Sequence, residues 1–333
     1  MASLSDIQKR IRSVKNTKQI TKAMEVVSAT KMRRAQELAL RARPYAFAAF
    51  ELLASASRRM KEGEVLPALL TGNKSKKTLA VIIASDKGLA GSLNANVMRK
   101  AHALVSSFAK GGVAIGDGGF GGEIPPGSAV LPLEKGEGGV DLATVGKKAR
   151  DYFAFRKFAI AKEFIGHGDY VDITEMNDLH DFISGKYLDG TYGKVVFMYT
   201  NFLSTLRQEA VSRQVLPITK QNLDNFVEAL TPERGRYADS ATHYSLQTTN
   251  YLFEPTRERV LKELADRLFK VTLYHIQLES NASEHSARMV AMKTASENAE
   301  EIVDDLTLIY NKGRQAKITQ EIVEITSGSD AVA

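Results

Sequence analysis

Glycine and proline are distributed very unevenly along this chain of 333 residues. Residues 1–62 contain no glycine and a single proline, Pro44. Residues 256–333 contain no proline and only two glycines, Gly313 and Gly328, whereas 22 of the 24 glycines lie between the two ends. Since these two residue types most often end a helix, each end is predicted to be one long helix. At about 1.5 Å per residue, the two helices would be roughly 85 Å and 100 Å long.

Both ends repeat apolar residues at alternating steps of three and four, which predicts a narrow seam for pairing with one other helix. Pro44 is expected to bend the first helix without ending it. Gly313 is expected to allow close packing where the partner helix stops, and Gly328 to end the second helix. The first seam is predicted to be Leu4, Ile7, Ile11 and Val14 and, after a register slip, Met24, Val27, Ala35, Leu38, Ala42, Tyr45, Ala49 and Leu52; the second is Leu261, Leu264, Leu268, Val271, His275, Leu278, Ala282, His285, Met289 and Met292.

The charges of the two ends are opposite. Residues 1–62 carry 14 Lys/Arg against 5 Asp/Glu, a balance of +9, and residues 256–333 carry 10 against 13, a balance of −3. Helices of opposite charge attract each other, which favours pairing within one chain. The fold class predicted is therefore a long antiparallel two-helix coiled coil, formed by the N- and C-terminal helices, with an α/β domain inserted between them.

The middle of the chain alternates short apolar runs with helical patterns, which predicts an α/β sandwich with a largely parallel sheet. We divide the chain into a helix at 1–62, an α/β domain at 75–250 and a helix at 255–328, the two helices together forming one rod. Pro255 marks the entry to the last helix. Within the domain we predict strands at 78–84, 140–146, 194–200 and 205–216, and helices at 93–109 and 175–188.

Composition excludes several classes of protein. No run of 18 uncharged apolar residues is present, so no membrane-spanning helix is predicted, and the charged N-terminus does not resemble a secretory signal. The absence of cysteine excludes disulfides and thiolate metal sites. Residues 111–139 contain 11 glycines and three prolines in 29 positions, and we interpret them as a flexible inserted loop.

The segment 85–96, SDKGLAGSLNAN, follows a predicted strand and precedes a predicted helix. This is where α/β proteins bind phosphate groups at a helix N-terminus. Its glycine spacing matches neither of the common phosphate-binding motifs, so a tight turn without a ligand is favoured. A nucleotide-binding α/β protein with a basic coiled coil remains an alternative.

The basic N-terminal helix leaves a second alternative, a coiled-coil nucleic-acid binder. Its charges are spread around the helix without interleaved aromatic residues or a known DNA-binding module, so a face turned to an acidic protein is favoured. The six histidines show no metal-ligand spacing, and we predict that His275 and His285 are packed or paired in the last helix. No catalytic constellation is found, so no cofactor, metal site or enzymatic activity is predicted.

Three blocks of sequence resemble the γ subunit of F-type ATP synthase. They are TKAMEVVSATKMRRAQ at 21–36, SDKGLAGSLNAN at 85–96, and a C-terminal block running from SARMVAMKTASENA at 286–299 through LIYNKGRQA at 308–316 to ITQEIVEITSG at 318–328. The resemblance covers both ends and most of the middle. It departs from the family at Ser329, where alanine is usual, and in the length of the glycine-rich segment 111–139.

The resemblance implies that the terminal helices form a central-stalk rotor inside a ring of three α and three β subunits. The middle would be a Rossmann-like domain that contacts the ε subunit and the membrane-embedded ring of c subunits; the δ subunit is also expected in the assembly. Rotation driven by protons would couple, through this shaft, to ATP synthesis at the β subunits, with no catalytic residue on the chain itself.

Carried over position by position, the resemblance implies coupling contacts on three segments. Those on the first helix are Lys22, Met24 and Lys31, those in the turn are Asp86, Lys87 and Leu89, and those on the last helix are Arg288, Arg314, Gln315, Thr319 and Glu321. Ile318, Ile322, Val323 and Ile325 would form an apical bearing on a single helix that projects beyond its partner.

The resemblance also implies a location. The subunit is expected to be peripheral on the cytoplasmic face of a bacterial cell membrane, touching the membrane only through the c ring, with the matrix side of the mitochondrial inner membrane as the alternative. The lack of cysteine removes the thiol switch of plastid relatives, and no nucleic-acid partner is implied.

Overall fold

The computed structural model describes residues 3–58, 67–109, 139–166, 168, 171–219, 254 and 256–330. The predicted glycine-rich loop at 111–139 lies outside these residues except for Gly139, as does the predicted helix entry at Pro255. The chain divides into two compact units. The terminal unit comprises Met1–Thr30 and Arg288–Ala333, and the central unit comprises Lys31–Ala287.

The first helix, α1, runs from Leu4 to Arg58 and contains Pro44 in its interior, as predicted. Its start is capped by Ser3, whose Oγ accepts a hydrogen bond from the backbone N–H of Asp6 at 3.2 Å. Its inward face differs from the predicted seam. Steps of three and four continue without a register slip through half-buried and buried residues: Leu4, Ile7, Ile11, Val14, Lys18, Thr21, Glu25, Ser28, Met32, Ala35, Ala39, Ala42, Ala46, Ala49 and Leu53.

The predicted slip to Met24 and Val27 is therefore wrong. Polar residues occupy the seam between Val14 and Met32, and a search for apolar periodicity passes over them. Thr21 tolerates burial because its hydroxyl donates to the carbonyls of Thr17 and Lys18, at 3.1 and 3.0 Å. Val27 is instead exposed on the outer face of the helix.

The last helix, α5, runs from Arg257 to Asp330 and is 74 residues long. The predicted stripe from Leu261 to Met292 is confirmed as its inward face, and the same spacing continues through Ser296, Ala299 and Val303 to Gly313. Residues 314–325 are all exposed. The expectation that Gly328 ends the helix is wrong, because the helix continues to Asp330. Glycine keeps its backbone N–H, so within a helix it costs only about 1 kcal/mol relative to alanine.

The central unit contains a five-stranded sheet of order β3-β2-β1-β4-β5. Its elements are β1 (Thr78–Ile83), α2 (Leu93–Ala109), β2 (Val140–Val145), α3 (Lys147–Phe155), β3 (Ile160–Phe164), a 3-10 turn (Ile173–Met176), α4 (Asn177–Leu188), β4 (Lys194–Phe202) and β5 (Gln208–Leu216). β1, β2, β3 and β4 pair in parallel, and β5 pairs antiparallel with β4. The predicted α/β sandwich with a largely parallel sheet is confirmed, whereas α3 and β3 were not predicted.

Both faces of the sheet are covered by helices. On one face, residues 46–53 of α1 and 261–276 of α5 pack with α4 against Leu79, Val81, Val195 and Phe197. On the other face, α2 and α3 pack against Ala80, Ile82, Leu142 and Met198. β1 and most of β4 are buried from both sides, which is why these two strands read as continuous apolar runs rather than alternating ones.

No helix in the described ranges is long and apolar enough to cross a membrane.

Candidate functional site

The predicted contacts on α1 differ in how far they are exposed. Lys22 is exposed and pairs with Glu25, with 2.9 Å between Nζ and Oε2. Met24 and Lys31 are half-buried. Lys22 and Met24 belong to the terminal unit, and Lys31 begins the central unit.

The predicted turn contacts lie at the carboxyl end of β1. The carboxylate of Asp86 accepts hydrogen bonds from the backbone N–H of Lys147 at 2.8 Å and of Gly166 at 3.2 Å. Lys147 is the first residue of α3, whose N-cap, Gly146, supplies no side-chain bond. Asp86 therefore caps a neighbouring helix, and a carboxylate at that position is also favoured by the helix dipole.

The same turn is held together by hydrogen bonds. The Ser85 hydroxyl donates to the carbonyl of Lys87 at 2.6 Å, and the Asn94 amide donates to the Ser85 hydroxyl at 2.7 Å. Leu89 has a φ of 63° and is 61% exposed. A left-handed conformation is strained for a leucine, so the hydrogen-bonded turn holds an apolar side chain out in solvent. The turn can present Lys87 and Leu89 to a partner while Asp86 fixes its base.

Two features disfavour a nucleotide at the carboxyl ends of the strands. Asp86 already occupies the N-terminus of α3, so that helix end is not open to a phosphate. At the carboxyl end of β4, the Ser283 hydroxyl on α5 donates to the carbonyl of Thr200 within the strand at 3.1 Å, and the Ser286 hydroxyl donates to that of Thr205, just after the strand, at 2.8 Å. In open parallel sheets, ligands bind in the crevice next to these strand ends, and here α5 covers the end of β4.

The predicted contacts on α5 fall into two classes. Arg288 is only 6% exposed, so its side chain is packed within the chain itself. Arg314, Gln315, Thr319 and Glu321 are exposed, as are the apical residues Ile318, Ile322, Val323 and Ile325. Thr319 donates to the backbone carbonyl of Gln315, and Lys317 Nζ lies 3.8 Å from Glu321 Oε1, so these polar side chains have partners within the helix itself. Four large apolar side chains in this solvent-exposed segment indicate a protein-binding surface.

Further exposed apolar residues on the terminal helices were not predicted from the sequence. On α1 they are Ile20, Val26 and Val27, and on α5 they are Ile302, Leu308 and Ile309. The signal that could have found them is the unbroken three-and-four spacing from Leu4 to Leu53, which places these α1 residues off the seam. Together with the tip of α5, they can bind other proteins through apolar contacts. Within the described ranges, no group of three acidic, histidine or cysteine side chains could hold a metal ion.

Comparison with known families and curated proteins gives a consistent result. The family model described as ATP synthase matches residues 3–332. The ATP synthase gamma chain of Roseiflexus castenholzii is 36% identical, with 100% of this chain and 99% of the relative covered. That of Symbiobacterium thermophilum is 37% identical, with 98% and 97% covered.

Solved structures share the fold. A chain from the Euglena gracilis mitochondrial ATP synthase (OSCP/F1/c-ring, rotational state 3) aligns with a TM-score of 0.58 at 15% identity, covering 99% of this chain and 94% of that one. A chain from the central stalk and c ring of the Tetrahymena thermophila mitochondrial ATP synthase aligns with a TM-score of 0.52 at 21% identity, covering 83% and 99%. The arrangement of an N-terminal helix, a central mixed sheet and a C-terminal helix is therefore shared with ATP synthase central stalks.

Proposed function

Because this chain belongs to the family of ATP synthase gamma chains, it is a non-catalytic rotor subunit of the central stalk, and we propose that α1 and α5 pair in it as an antiparallel coiled coil. In the proposed division of the chain, residues 1–62 and 255–328 form this shaft and residues 75–250 form the α/β domain. Rotation of the c ring then turns the shaft, and the shaft couples rotation to ATP synthesis at the β subunits.

Two contacts within the terminal unit support the pairing. A side chain at Gly313 would place its Cβ 3.0 Å from Cδ2 of Leu4, so glycine allows close approach at the start of α1. Lys18 Nζ lies 2.7 Å from Glu300 Oε1. Between the two contacts the chain advances 14 residues on α1 (4 to 18) and goes back 13 on α5 (313 to 300). Nearly equal steps in opposite directions are expected of an antiparallel helix pair.

A disulfide between Thr21 and Ser296 tests this pairing. Thr21 lies 17 residues after Leu4, and Ser296 lies 17 before Gly313, so antiparallel pairing sets these two buried residues opposite each other. Because the chain has no cysteine, the double variant T21C/S296C should form one intramolecular cross-link on oxidation, visible as faster migration on a non-reducing gel. T21C/N298C is the matched control, since Asn298 lies about 200° further around α5. Equal cross-linking in both variants would contradict the pairing.

The exposed residues of the shaft are proposed to contact the α and β subunits. The proposed contacts are Lys22, Met24 and Lys31 on α1, Asp86, Lys87 and Leu89 in the turn after β1, and Arg314, Gln315, Thr319 and Glu321 on α5, with Ile318, Ile322, Val323 and Ile325 as the apical bearing. The buried Arg288 would act on partners only through the packing of α5. A rotor shifts the β subunits between states only through contacts that differ from one state to the next, and these polar, basic and apolar groups differ along and around the helices.

The exposure of residues 314–325 is the observation that carries this proposal. A helical segment that exposes large apolar side chains to solvent is suited to a sleeve supplied by other subunits. The ε and δ subunits and the c ring complete the proposed set of partners. The proposed location is peripheral, at the face of the membrane on which the c ring meets the catalytic subunits.

The variant Ile322→Asp tests the apical bearing. Ile322 is 56% exposed, so the change should leave the free chain as stable as before, while a charge placed in an apolar sleeve should weaken association with the α and β subunits by tenfold or so, about 1.4 kcal/mol. Co-purification of tagged chain with co-expressed α and β subunits measures this.

Leu188→Asp is the control for the bearing test, because Leu188 is 55% exposed and lies on α4 in the central unit. It should co-purify normally. An unmodified chain that fails to bind the α and β subunits would overturn the proposed partners, and equal loss in both variants would overturn the bearing. Micromolar binding of ATP by the isolated chain would favour the alternative of a nucleotide-binding protein.

A further inference from the structure

A cavity of about 360 Å³ lies between α1, α5 and the 3-10 turn within the central unit. The part contributed by α5 comes from positions 267, 270, 271 and 274, a spacing that puts four side chains on one face of a helix. We call this cavity the tyrosine groove. It is lined by Ala42 and Tyr45 of α1, Ile173 of the 3-10 turn, and Arg267, Lys270, Val271 and Tyr274 of α5.

The walls of the tyrosine groove are largely apolar. Val271 is buried and Ala42 is half-buried, whereas the larger side chains of Ile173 and Tyr45 are 37% and 48% exposed. Large apolar side chains that stay in contact with solvent around a concave surface are typical of ligand-binding sites. The groove can therefore take up an apolar group from solution.

The wall formed by the 3-10 turn is fixed by its own hydrogen bonds. The carboxylate of Asp172 accepts from the backbone N–H and the hydroxyl of Thr174, both at 2.9 Å, and that of Glu175 accepts from the N–H of Asp172 at 3.3 Å. The pKa of Asp172 is lowered, mainly by the two bonds from Thr174 and to a smaller extent by the charge of Lys270. Ile173 is therefore held in place before a ligand arrives, which reduces the entropy lost on binding.

Arg267 brings a cation to the wall formed by α5. The two acids that precede it on the helix are engaged with other side chains. Glu263 Oε1 lies 3.5 Å from Arg259 Nε, and Asp266 Oδ1 lies 3.2 Å from Nε2 of His180 on α4. A guanidinium binds a carboxylate through two parallel hydrogen bonds, so Arg267 is suited to hold an acid group at the mouth of the groove.

Tyr274 adds a hydrogen-bond donor to the same wall. Burial raises the pKa of its hydroxyl, and the charges of Asp172 and Glu175 raise it further against the opposing effect of Arg34. The hydroxyl therefore keeps its proton at neutral pH and can donate to an acceptor. A ligand that fits the tyrosine groove has an apolar body and an anionic, hydrogen-bond-accepting head.

We propose that the tyrosine groove binds a free alkyl carboxylate, with its chain against Ala42, Ile173 and Val271 and its head on Arg267. A volume of about 360 Å³ equals roughly twelve waters at about 30 Å³ each. A methylene group is about as large as a water, so a chain of about ten carbons fits. A partner helix would need a longer groove with anchors over two turns, whereas the 3-10 turn closes this one on one side. The binding goes beyond the proposed rotor function and does not depend on it.

Isothermal titration of the full chain with decanoate tests this proposal. Decanoate should bind with one molecule per chain. Acetate, which has the head alone, and decyltrimethylammonium, which has the same chain with the opposite charge, should each bind at least about tenfold more weakly.

Variants of the groove separate its two parts. Arg267→Gln should weaken decanoate binding by about tenfold or more, because it removes the charged hydrogen-bond donor for the head. Ile173→Ala should weaken it by about fivefold, because it removes apolar contact with the chain. Arg259→Gln is the matched control, since Arg259 lies on the same helix but not in the groove, and it should bind decanoate within about twofold of wild type.

Thermal melting of each variant confirms that it folds. Equal affinity for decanoate and decyltrimethylammonium, equal loss in Arg267→Gln and Arg259→Gln, or no binding of decanoate by wild type at about 1 mM would overturn the proposal. So would a failure to bind decanoate together with weaker co-purification of Arg267→Gln with partner subunits, which would assign the groove to a protein. The rotor function is tested separately by co-purification of the wild-type chain, so the failure of one proposal is distinguishable from the failure of the other.

Discussion

Replacing Gly146 with alanine should destabilise the central unit by about 3–5 kcal/mol, the sum of a strained backbone and an overpacked site. Gly146 joins β2 to α3 with a φ of 93°, a conformation that side chains rarely adopt. A Cβ there would lie 2.0 Å from the carbonyl oxygen of Ala84. The oxygen belongs to the backbone just after β1 and cannot rotate away as a side chain could.

The expected loss of stability also reflects the backbone hydrogen bonds that meet at this turn. The N–H of Gly146 donates to the carbonyl of Phe164 at 2.8 Å, and the N–H of Lys148 donates to the carbonyl of Ser85 at 3.1 Å. A shift that relieved the clash would break these bonds, which link β1, β2 and β3. Urea denaturation followed by tyrosine fluorescence measures the effect, because the chain has 11 tyrosines and no tryptophan, and Tyr187, Tyr192 and Tyr199 are buried in the central unit.

Gly190→Ala separates the two causes. Gly190 also has a positive φ, 75°, but a Cβ added at that position would meet nothing within 4 Å. The Gly190→Ala substitution should therefore lower the stability of the fold by only about 1–2 kcal/mol, the ordinary cost of a left-handed residue. If Gly146→Ala cost no more than Gly190→Ala, the close approach to Ala84 would not be the dominant constraint.

The sequence predicted the long helices and most of the sheet because those features depend on local composition. Helix breakers are absent over the whole of α1 apart from Pro44, and β1 is a continuous apolar run. β3 was missed for the opposite reason. It is a short strand at the edge of the sheet with three exposed residues, Ala161, Lys162 and Glu163, so no apolar pattern marks it.

The candidate site was predicted less completely, since its geometry depends on contacts between distant residues. The sequence correctly predicted that the turn containing Asp86 follows β1. It predicted Asp86 only as a contact with a partner. That its carboxylate caps α3 depends on Lys147 and Gly166, which are 61 and 80 residues away. The burial of Arg288 could not be predicted from local sequence either. Between His275 and Ser286, α5 is buried on nearly all of its faces, whereas elsewhere it is buried on one face only.

Replacing Glu279 with glutamine should destabilise the chain by about 3–5 kcal/mol, the usual cost of removing one partner of a buried charged group. Glu279 lies on α5 in the central unit and is buried. Its Oε1 is 3.3 Å from Nδ1 of the buried His275, and the guanidinium of Arg213 lies over the ring of Tyr199, 5.8 Å from its centroid. Burial raises the pKa of Tyr199 well above 10, and the charge of Glu279 raises it further.

Glu279 should also contribute to how stability depends on pH. Burial alone would raise the pKa of its carboxyl, but His275, Arg213 and Tyr199 together hold the pKa below its ordinary value of 4.5. A carboxyl with a lowered pKa in the folded state stabilises the fold above its unfolded pKa. That contribution is lost as the pH falls through the lower, folded-state pKa. The wild-type chain should therefore lose stability below about pH 4.5 more steeply than Glu279→Gln does.

Glu297→Gln on the same helix is the control for the effect of charge alone. Glu297 is exposed and 3.9 Å from Lys293, and exposed pairs of this spacing contribute about 0.3–0.5 kcal/mol. Urea denaturation of the three proteins at neutral pH and again near pH 4 measures both effects. Similar losses for Glu279→Gln and Glu297→Gln would show that the buried carboxylate is not held by its neighbours. A large neutral-pH loss with an unchanged acid slope would instead show that Glu279 stabilises α5 through its shape and hydrogen bonding rather than through its charge.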